Sequence, residues 1–413
     1  MKNAKWLSTI FALLLVVSVS KPMQAQLKIS DSETSKLFIT LDTVGTAQAL
    51  QQSHVFDAKG TDLGKLSAGM QTAYGDLGFL GEFGKKQEIE LYFDLYLASR
   101  NHPSTTYGNQ GYLLMRDVPE NLQALTFLKP IFKRVDLKAG AFLVDFGDQQ
   151  VWRSNNAKVQ KNPLIGNFVI DPNFVSVGVQ AMSKPGRFGW VGAITNGTNT
   201  EDFSTGRGYA FNGKLYAYPI KPLRLSGSFY RVNHEESATG RATLFSGNRS
   251  GERYGAVLGG GQAPGDVLPN TGKDLTAYQG DLSFDEATMP VKLYAHYGMT
   301  RDTDVNGPAP GTPEERWSYY AGQVLYKFNS ATYAVARYSA ANADKISGIN
   351  STGKVYRMQV GGGLWLTRNM LAKVEYVNQK YSGFASGVVL NNGIAAWRDP
   401  SFKGLISEVS FSF

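Results

Sequence analysis

Over much of the chain hydrophobic and polar residues alternate one by one for about ten positions and then give way to a connection. The clearest run is 88–97. Ile89, Leu91, Phe93, Leu95 and Leu97 share one face, and Glu88, Glu90, Tyr92, Asp94 and Tyr96 share the other. A period of two is the mark of a β-strand whose two faces meet different surroundings. Sixteen such segments can be drawn: 36–45, 65–84, 87–99, 122–129, 133–145, 174–183, 187–196, 207–218, 222–233, 273–285, 289–301, 316–328, 330–341, 354–366, 369–382 and 402–413. The stretch 65–84 is long enough to hide a bend, which makes the range sixteen to eighteen.

The connections decide what kind of β-protein this is. Short ones (84–87, 184–186, 219–221, 286–288, 329 and 367–368) alternate with long ones (46–64, 100–121, 146–173, 197–206, 234–272, 302–315, 342–353 and 383–401). A bacterial outer-membrane barrel has this asymmetry, with short periplasmic turns and longer outer loops. The fold expected is all-β, a transmembrane antiparallel barrel of about 16 strands in the cell outer membrane. The last strand agrees: Leu405, Val409, Phe411 and Phe413 form an apolar face that ends on an aromatic residue.

Within this repeat the polar excursion 146–173, between an alternating segment that ends near Asp145 and one that begins at Phe174, is expected to fold into the barrel opening as a constriction loop. Residues 1–25 form a separate unit. Lys2 and Lys5 precede an apolar run from Leu7 to Val19, and Met23-Gln24-Ala25 ends in a small residue, the order of a secretory signal peptide. The run is too short to span a bilayer as a helix. Removing 1–25 takes away Lys2, Lys5 and Lys21, so the net charge falls from +8 to 8 − 3 = +5. The expected mature barrel is 26–413.

Mean hydropathy is −0.23, which suits a soluble exported protein and also a barrel whose alternating strands average out as polar. Abundant Tyr (21), Phe (23) and Gly (45) with no Cys favour the barrel, which needs no disulfides. The sequence pI near 9.3 raises nucleic acid as a partner. The cations are spread singly along strands and the chain carries an export signal, so none is expected.

Charge also sets the inward face. Lys or Arg at the bilayer midplane on the lipid side costs about 2–4 kcal/mol, so mid-strand charges mark the lumen. By this rule Lys138, Lys214, Arg224, Lys292, His296, Arg357 and Lys373 point inward, with Glu88, Glu90, Asp94, Asp136, Glu375 and Glu408. Leu137, Phe211, Leu215, Leu225, Phe229, Leu293 and Val374 occupy the opposite phase. The inward cations read either as wall residues in salt-bridge ladders or as the source of a potential that attracts anions. Asp136 and Lys138, two apart on one face, are expected to offset each other in part. Tyr216, Tyr218, Tyr294, Tyr297, Tyr326 and Tyr376 read either as interface girdles or as a sugar-stacking track.

Motifs for chemistry are missing. Four His occur with no paired metal-ligand spacing, and there is no GxSxG. No metal, cofactor or enzymatic activity is expected.

The run 135–146, then Val169-Ile170-Asp171-Pro172-Asn173, Val177-Gly178-Val179-Gln180-Ala181 and 186–198 resembles the phosphate-selective porin O/P family. The resemblance implies a homotrimeric channel in outer-membrane lipid, passing small hydrophilic or anionic solutes, with basic residues at the constriction. On this chain the loop candidates are Arg153, Lys158 and Lys161, joined along the anion path by Lys138, Lys214, Arg224, Lys292, Arg357 and Lys373. Asp145, Asp148 and Asp171 share the loop region and dilute its positive charge. The expected function is an outer-membrane porin for passive diffusion of small hydrophilic solutes, favouring anions such as phosphate. The alternative is a barrel adhesin or receptor acting through its outer loops, with 234–272 as its surface. A barrel hydrolase is a third reading with no motif behind it.

Overall fold

The computed structural model describes residues 27–53, 69–98, 106–120, 122–197, 209–233, 244–245, 267, 269, 274–286, 288–303, 314–346, 349–388 and 395–413. The signal-peptide segment 1–25 lies outside them. Among the described residues seventeen strands form: β1 (Leu27–Asp31), β2 (Ser35–Gln52), β3 (Gly69–Phe83), β4 (Ile89–Ala98), β5 (Tyr107–Met115), β6 (Val135–Leu143), β7 (Val175–Ser183), β8 (Phe188–Thr195), β9 (Tyr209–Ile220), β10 (Leu223–Asn233), β11 (Asp274–Phe284), β12 (Val291–Asp302), β13 (Glu315–Lys327), β14 (Thr332–Ile346), β15 (Ile349–Trp365), β16 (Met370–Ser382) and β17 (Ser401–Ser412). Each strand from β2 to β17 pairs antiparallel with its neighbours in sequence, and β17 pairs with β2 from Phe402↔Gln52 to Ser412↔Asp42. The barrel is therefore closed at sixteen strands. Closure leaves no edge, the condition a sheet must meet to cross a membrane. β1 lies outside this ring, paired to the start of β2.

Burial follows the alternation. Leu91, Phe93, Leu215, Leu225, Leu293, Val374, Leu405 and Val409 are exposed on the outer surface, while Glu88, Asp94, Lys214, His296, Arg357, Lys373, Glu375 and Glu408 are buried inside. The cost of a lipid-facing charge selects this register, since a slip of one residue would reverse every side chain. The aromatic residues divide. Tyr297, Tyr326 and Tyr376 lie exposed on the outer surface and Tyr294 is buried in the lumen.

Three local expectations are corrected. Segment 122–129 is not a strand: Gln123–Leu128 is a 3₁₀ turn that runs into a single α-turn at Lys129–Phe132. Leu122, Leu125 and Leu128 recur every three residues, the 3₁₀ period, and Pro130 is tolerated in a first turn because its missing N–H would be unpaired there anyway. The fourth barrel strand is β5, inside the expected loop 100–121. Gly108-Asn109-Gln110-Gly111 hide its alternation. β5 and β6 also approach closely at Gly140, whose φ is +130° and where a Cβ would strike the Gly111 carbonyl. Finally, the expected loop 342–353 is mostly strand, because β14 runs to Ile346 and β15 begins at Ile349.

Candidate functional site: the loop inside the lumen

The connection between β6 and β7, residues 144–174, is the third on the long-loop rim and turns into the barrel. Its first anchor lies on β9–β11. Gly147 N donates to Ser228 Oγ (3.0 Å) and Asp148 N donates to Asp281 Oδ1 (3.0 Å). The Asp148 carboxylate takes Lys214 at 2.7 Å, Arg224 at 3.0 Å and the Ser226 hydroxyl at 2.8 Å. The loop then crosses to β3 and β4. Ala157 N and the Asn156 amide donate to Asp76 (2.6 and 3.0 Å), Tyr96 OH donates to Asn155 Oδ1 (2.6 Å), and Lys158 Nζ meets Asp94 at 2.6 Å and Tyr92 OH at 2.7 Å. Asn156 holds φ +45°, a left-handed turn that Asn tolerates better than most residues.

On its return the loop rests on β14–β17. Ile165 N and Gly166 N donate to Glu375 (2.6 and 3.0 Å). Lys373 Nζ donates to the carbonyls of Val159, Asn162 and Leu164 (3.0–3.1 Å) and pairs with Glu408 at 2.6 Å. Arg337 donates to the carbonyls of Gly166 (2.9 Å) and Trp152 (3.1 Å) and lies 4.0 Å from the Phe168 ring centre. Arg357 donates to the Asn167 carbonyl (2.7 Å) and to Gln379 (2.6 Å). Inside the loop Arg153 grips Asp171. Buried backbone groups in a non-regular segment must find partners. Here the barrel wall supplies them.

One side of the lumen is filled. Phe146, Ile165, Val169, Ile170 and Phe174 of the loop join wall residues of β9–β11, β13–β17 and β2, among them Tyr230, Leu275, Trp317, Tyr319, Val377 and Ile406, in one apolar cluster. Leu244, Phe245 and Val267 of the 234–272 connection enter the same cluster, and two backbone bonds tie that connection to the inserted loop (Asn173 N to Leu244 O, 2.9 Å; Val267 N to Val169 O, 2.8 Å). The charged residues proposed for an adhesive surface there, Arg241, Arg249, Glu252 and Arg253, lie outside the described residues.

The β4–β6 wall lies outside this cluster. There Tyr92, Tyr112, Lys138, Glu90 and Arg116 are only half-buried. On the loop itself Lys161, which has Asp42 of β2 among its charge neighbours, is exposed, and Val151 is 61% exposed. The Tyr92 and Tyr112 rings are 5.2 Å apart, Lys138 Nζ stands 4.5 Å from the Tyr112 ring centre, and Arg116 pairs with Glu90.

The nine candidate cations separate by partner. Arg153, Lys158, Lys214, Arg224 and Lys373 pair with acids of the loop or the wall, and Arg357 is held by a carbonyl and an amide. Lys292 pairs with Asp285 at the short-turn rim. Lys138 and Lys161 have no ion-pair partner among the described residues. The expected offset between Asp136 and Lys138 does not occur as a pair, because Asp136 takes Lys184. Enclosure by the barrel and the like charges of Arg153 and Lys158 lower the Lys161 ammonium to about 8. Arg337, Asp76, Asp281 and Gln279 were not among the sequence candidates. The mid-strand charge rule, applied to β14, β3 and β11, reaches the first three.

A closed sixteen-stranded antiparallel barrel with an apolar outer belt is the transmembrane β-barrel fold of the outer membrane, here with a loop anchored in its lumen. Solved structures agree. An anion-selective porin from Comamonas acidovorans superposes with a TM-score of 0.55 at 10% identity, covering 92% of this chain and 100% of that one. The outer membrane channel DcaP of Acinetobacter baumannii gives 0.56 at 11% identity, covering 93% and 99%. OmpF of Salmonella typhi, in complex with daunomycin, gives 0.54 at 11% identity, covering 94% and 100%. No family model and no curated protein sequence matches the chain. The likeness is one of fold, and it places the chain among outer-membrane barrels.

Proposed function

We propose that this protein is a passive diffusion channel of the outer membrane, whose loop 144–174 sieves small hydrophilic solutes along the β4–β6 wall. One observation carries the reading: the loop is fastened to strands on both sides of the lumen and leaves its partly exposed polar strip against β4–β6. A loop so held acts as a fixed constriction, not as a binding surface directed outward. The inward burial of Leu244, Phe245 and Val267 speaks against the adhesin reading. The function is transport without catalysis.

Anions are the favoured solutes. Most lumen cations are matched by acids, so excess positive charge comes from Lys138 beside the strip and from Lys161 on the loop, and a small excess charge in a narrow low-dielectric pore biases permeation. Phosphate, and membership of the phosphate-selective porin O/P family, rest on the motif resemblance alone. A homotrimer is proposed with it, and a trimer form of OmpT from Vibrio cholerae is among the structural neighbours. Purified protein in a planar bilayer should give stepwise conductance and, in a salt gradient, a reversal potential of anion-selective sign. An insertion that carries no current removes the channel reading.

A further inference from the structure

The outer surface of β10–β14 carries basic residues at the long-loop rim that neither the lumen nor its loop uses. Arg231 is directly paired across strands with Thr276, Thr276 with Arg301, Arg301 with Arg316, and Arg316 with Lys345. Paired residues share a face, with side chains about 4.5–5.5 Å apart. The strand phase puts this rung on the lipid side, above exposed Tyr278, Tyr297 and Met299. Lys345 reaches that side because the register shifts at Asp344: Trp317 pairs with Ala343, and Arg316 skips to Lys345. The side chains meet as the pairing requires. Glu314 binds Arg301 at 2.6 Å, Arg316 at 3.2 Å and Lys345 at 2.8 Å, and Asp274 takes Arg231.

Among the described residues one acid, Glu314, is shared by these three cations, which leaves most of their donors unspent. The Arg301 and Arg316 side chains are 62% and 48% exposed. Among the described residues Asp344, exposed in the bulge, is the remaining acid in the row, and Lys354, Lys380 and Lys403 continue the basic rim on the lipid face of β15–β17.

The next rung toward the membrane centre is Phe229, Tyr278 and Met299, and the one after it Gly227, Gly280 and Tyr297. They lie about 7 and 13 Å below the basic row at strand rise. Here the surface is hollow, with a groove of about 780 Å³ lined by Trp190, Leu215, Gly227, Phe229, Tyr278 and Met299 among others. A Cβ at Gly213 or Gly227 would meet nothing within 4 Å, so packing within the chain does not demand glycine there. Their effect is to keep the groove open.

We propose that this face binds a phosphate-bearing, multiply acylated lipid of the outer leaflet. Arg301, Arg316 and Lys345 hold the phosphate and the glycine-floored groove takes an acyl chain. Guanidinium forks match phosphate oxygens in pairs, and the vertical order of charge over apolar groove is that of an inserted lipid. The proposal depends on the barrel's place in the membrane and not on the channel reading.

Delipidated protein in detergent, mixed with bis-phosphorylated lipid A and read by native mass spectrometry, tests it. Wild type should retain the lipid. The R301S/R316S variant should lose at least tenfold in apparent affinity, and Gly227→Val, which fills the groove and leaves the charges, should also weaken it. Dephosphorylated lipid A should bind wild type as weakly as R301S/R316S binds the intact lipid, and inorganic phosphate in hundredfold excess should not displace it. Equal retention by wild type and both variants overturns the proposal, as does displacement by inorganic phosphate. Loss of subunit association with lipid retained would instead make this face a contact between copies. Stepwise conductance of R301S/R316S is read alongside, so failure of the lipid site and failure of the channel are seen separately.

Discussion

Arg153 and Asp171 close the inserted loop on itself: Nε and Nη2 of the guanidinium reach the carboxylate at 2.8 and 2.7 Å, with the two side chains 1% and 0% exposed. The strongest-looking cation of the loop thus spends its charge inside it. Breaking a buried pair by removing one partner costs about 3–5 kcal/mol, because the other charge is left unpaired. Arg153→Met should therefore loosen the loop, and single-channel records should turn noisy, with added conductance levels. The double variant R153M/D171L removes the stranded charge and should restore quiet openings. Equal noise in both would show that the pair does not hold the loop.

Charge reversal should separate the unpaired cations from the paired ones. Lys138→Glu and Lys161→Glu are expected to move the reversal potential in a salt gradient toward cation selectivity. Lys292→Glu, at the short-turn rim beside Asp285, should shift it much less. Equal shifts from all three would place the selective region elsewhere.

Lys161 also predicts a pH dependence. Its ammonium is lowered to about 8 by enclosure and by Arg153 and Lys158. The charged form is the protonated one, so anion preference should be full below that value and decline as pH rises through it. Reversal potentials between pH 6 and 10 test this, and Lys161→Gln should flatten the curve.

Lys373 holds three loop carbonyls as well as Glu408, all in the interior. Lys373→Met strands the Glu408 carboxylate and should lower the thermal unfolding midpoint of the detergent-solubilised barrel. Lys292→Met, at the half-buried rim pair, should leave it near the wild-type value.

The barrel was legible because lipid exposure writes the period of two into nearly every strand, and because a misplaced charge is expensive. Where that pressure weakens the reading fails. β5 carries Gly-Asn-Gln-Gly through its middle, and Leu122-Leu125-Leu128 imitates an apolar strand while following a three-residue period. The loop was found as an interruption, but its chemistry was not. Lys158 meets Asp94 from 64 residues away and Lys373 meets Val159 from 214, so which cation stays unpaired is settled by closure of the barrel. Arg337, the wall residue that binds two loop carbonyls, stands singly among Ala, Val and Tyr and looks from its neighbours like one more wall charge.

The chain has no Cys, so a single introduced thiol reports on one position without background. Single-channel conductance of Lys138→Cys, before and after a negatively charged methanethiosulfonate reagent, tests directly whether solutes pass between loop 144–174 and the β4–β6 wall. Stepwise openings that shrink on modification, while the same reagent leaves Val355→Cys in the filled side unchanged, are the result expected. Absence of openings, or openings indifferent to modification at 138, would contradict it.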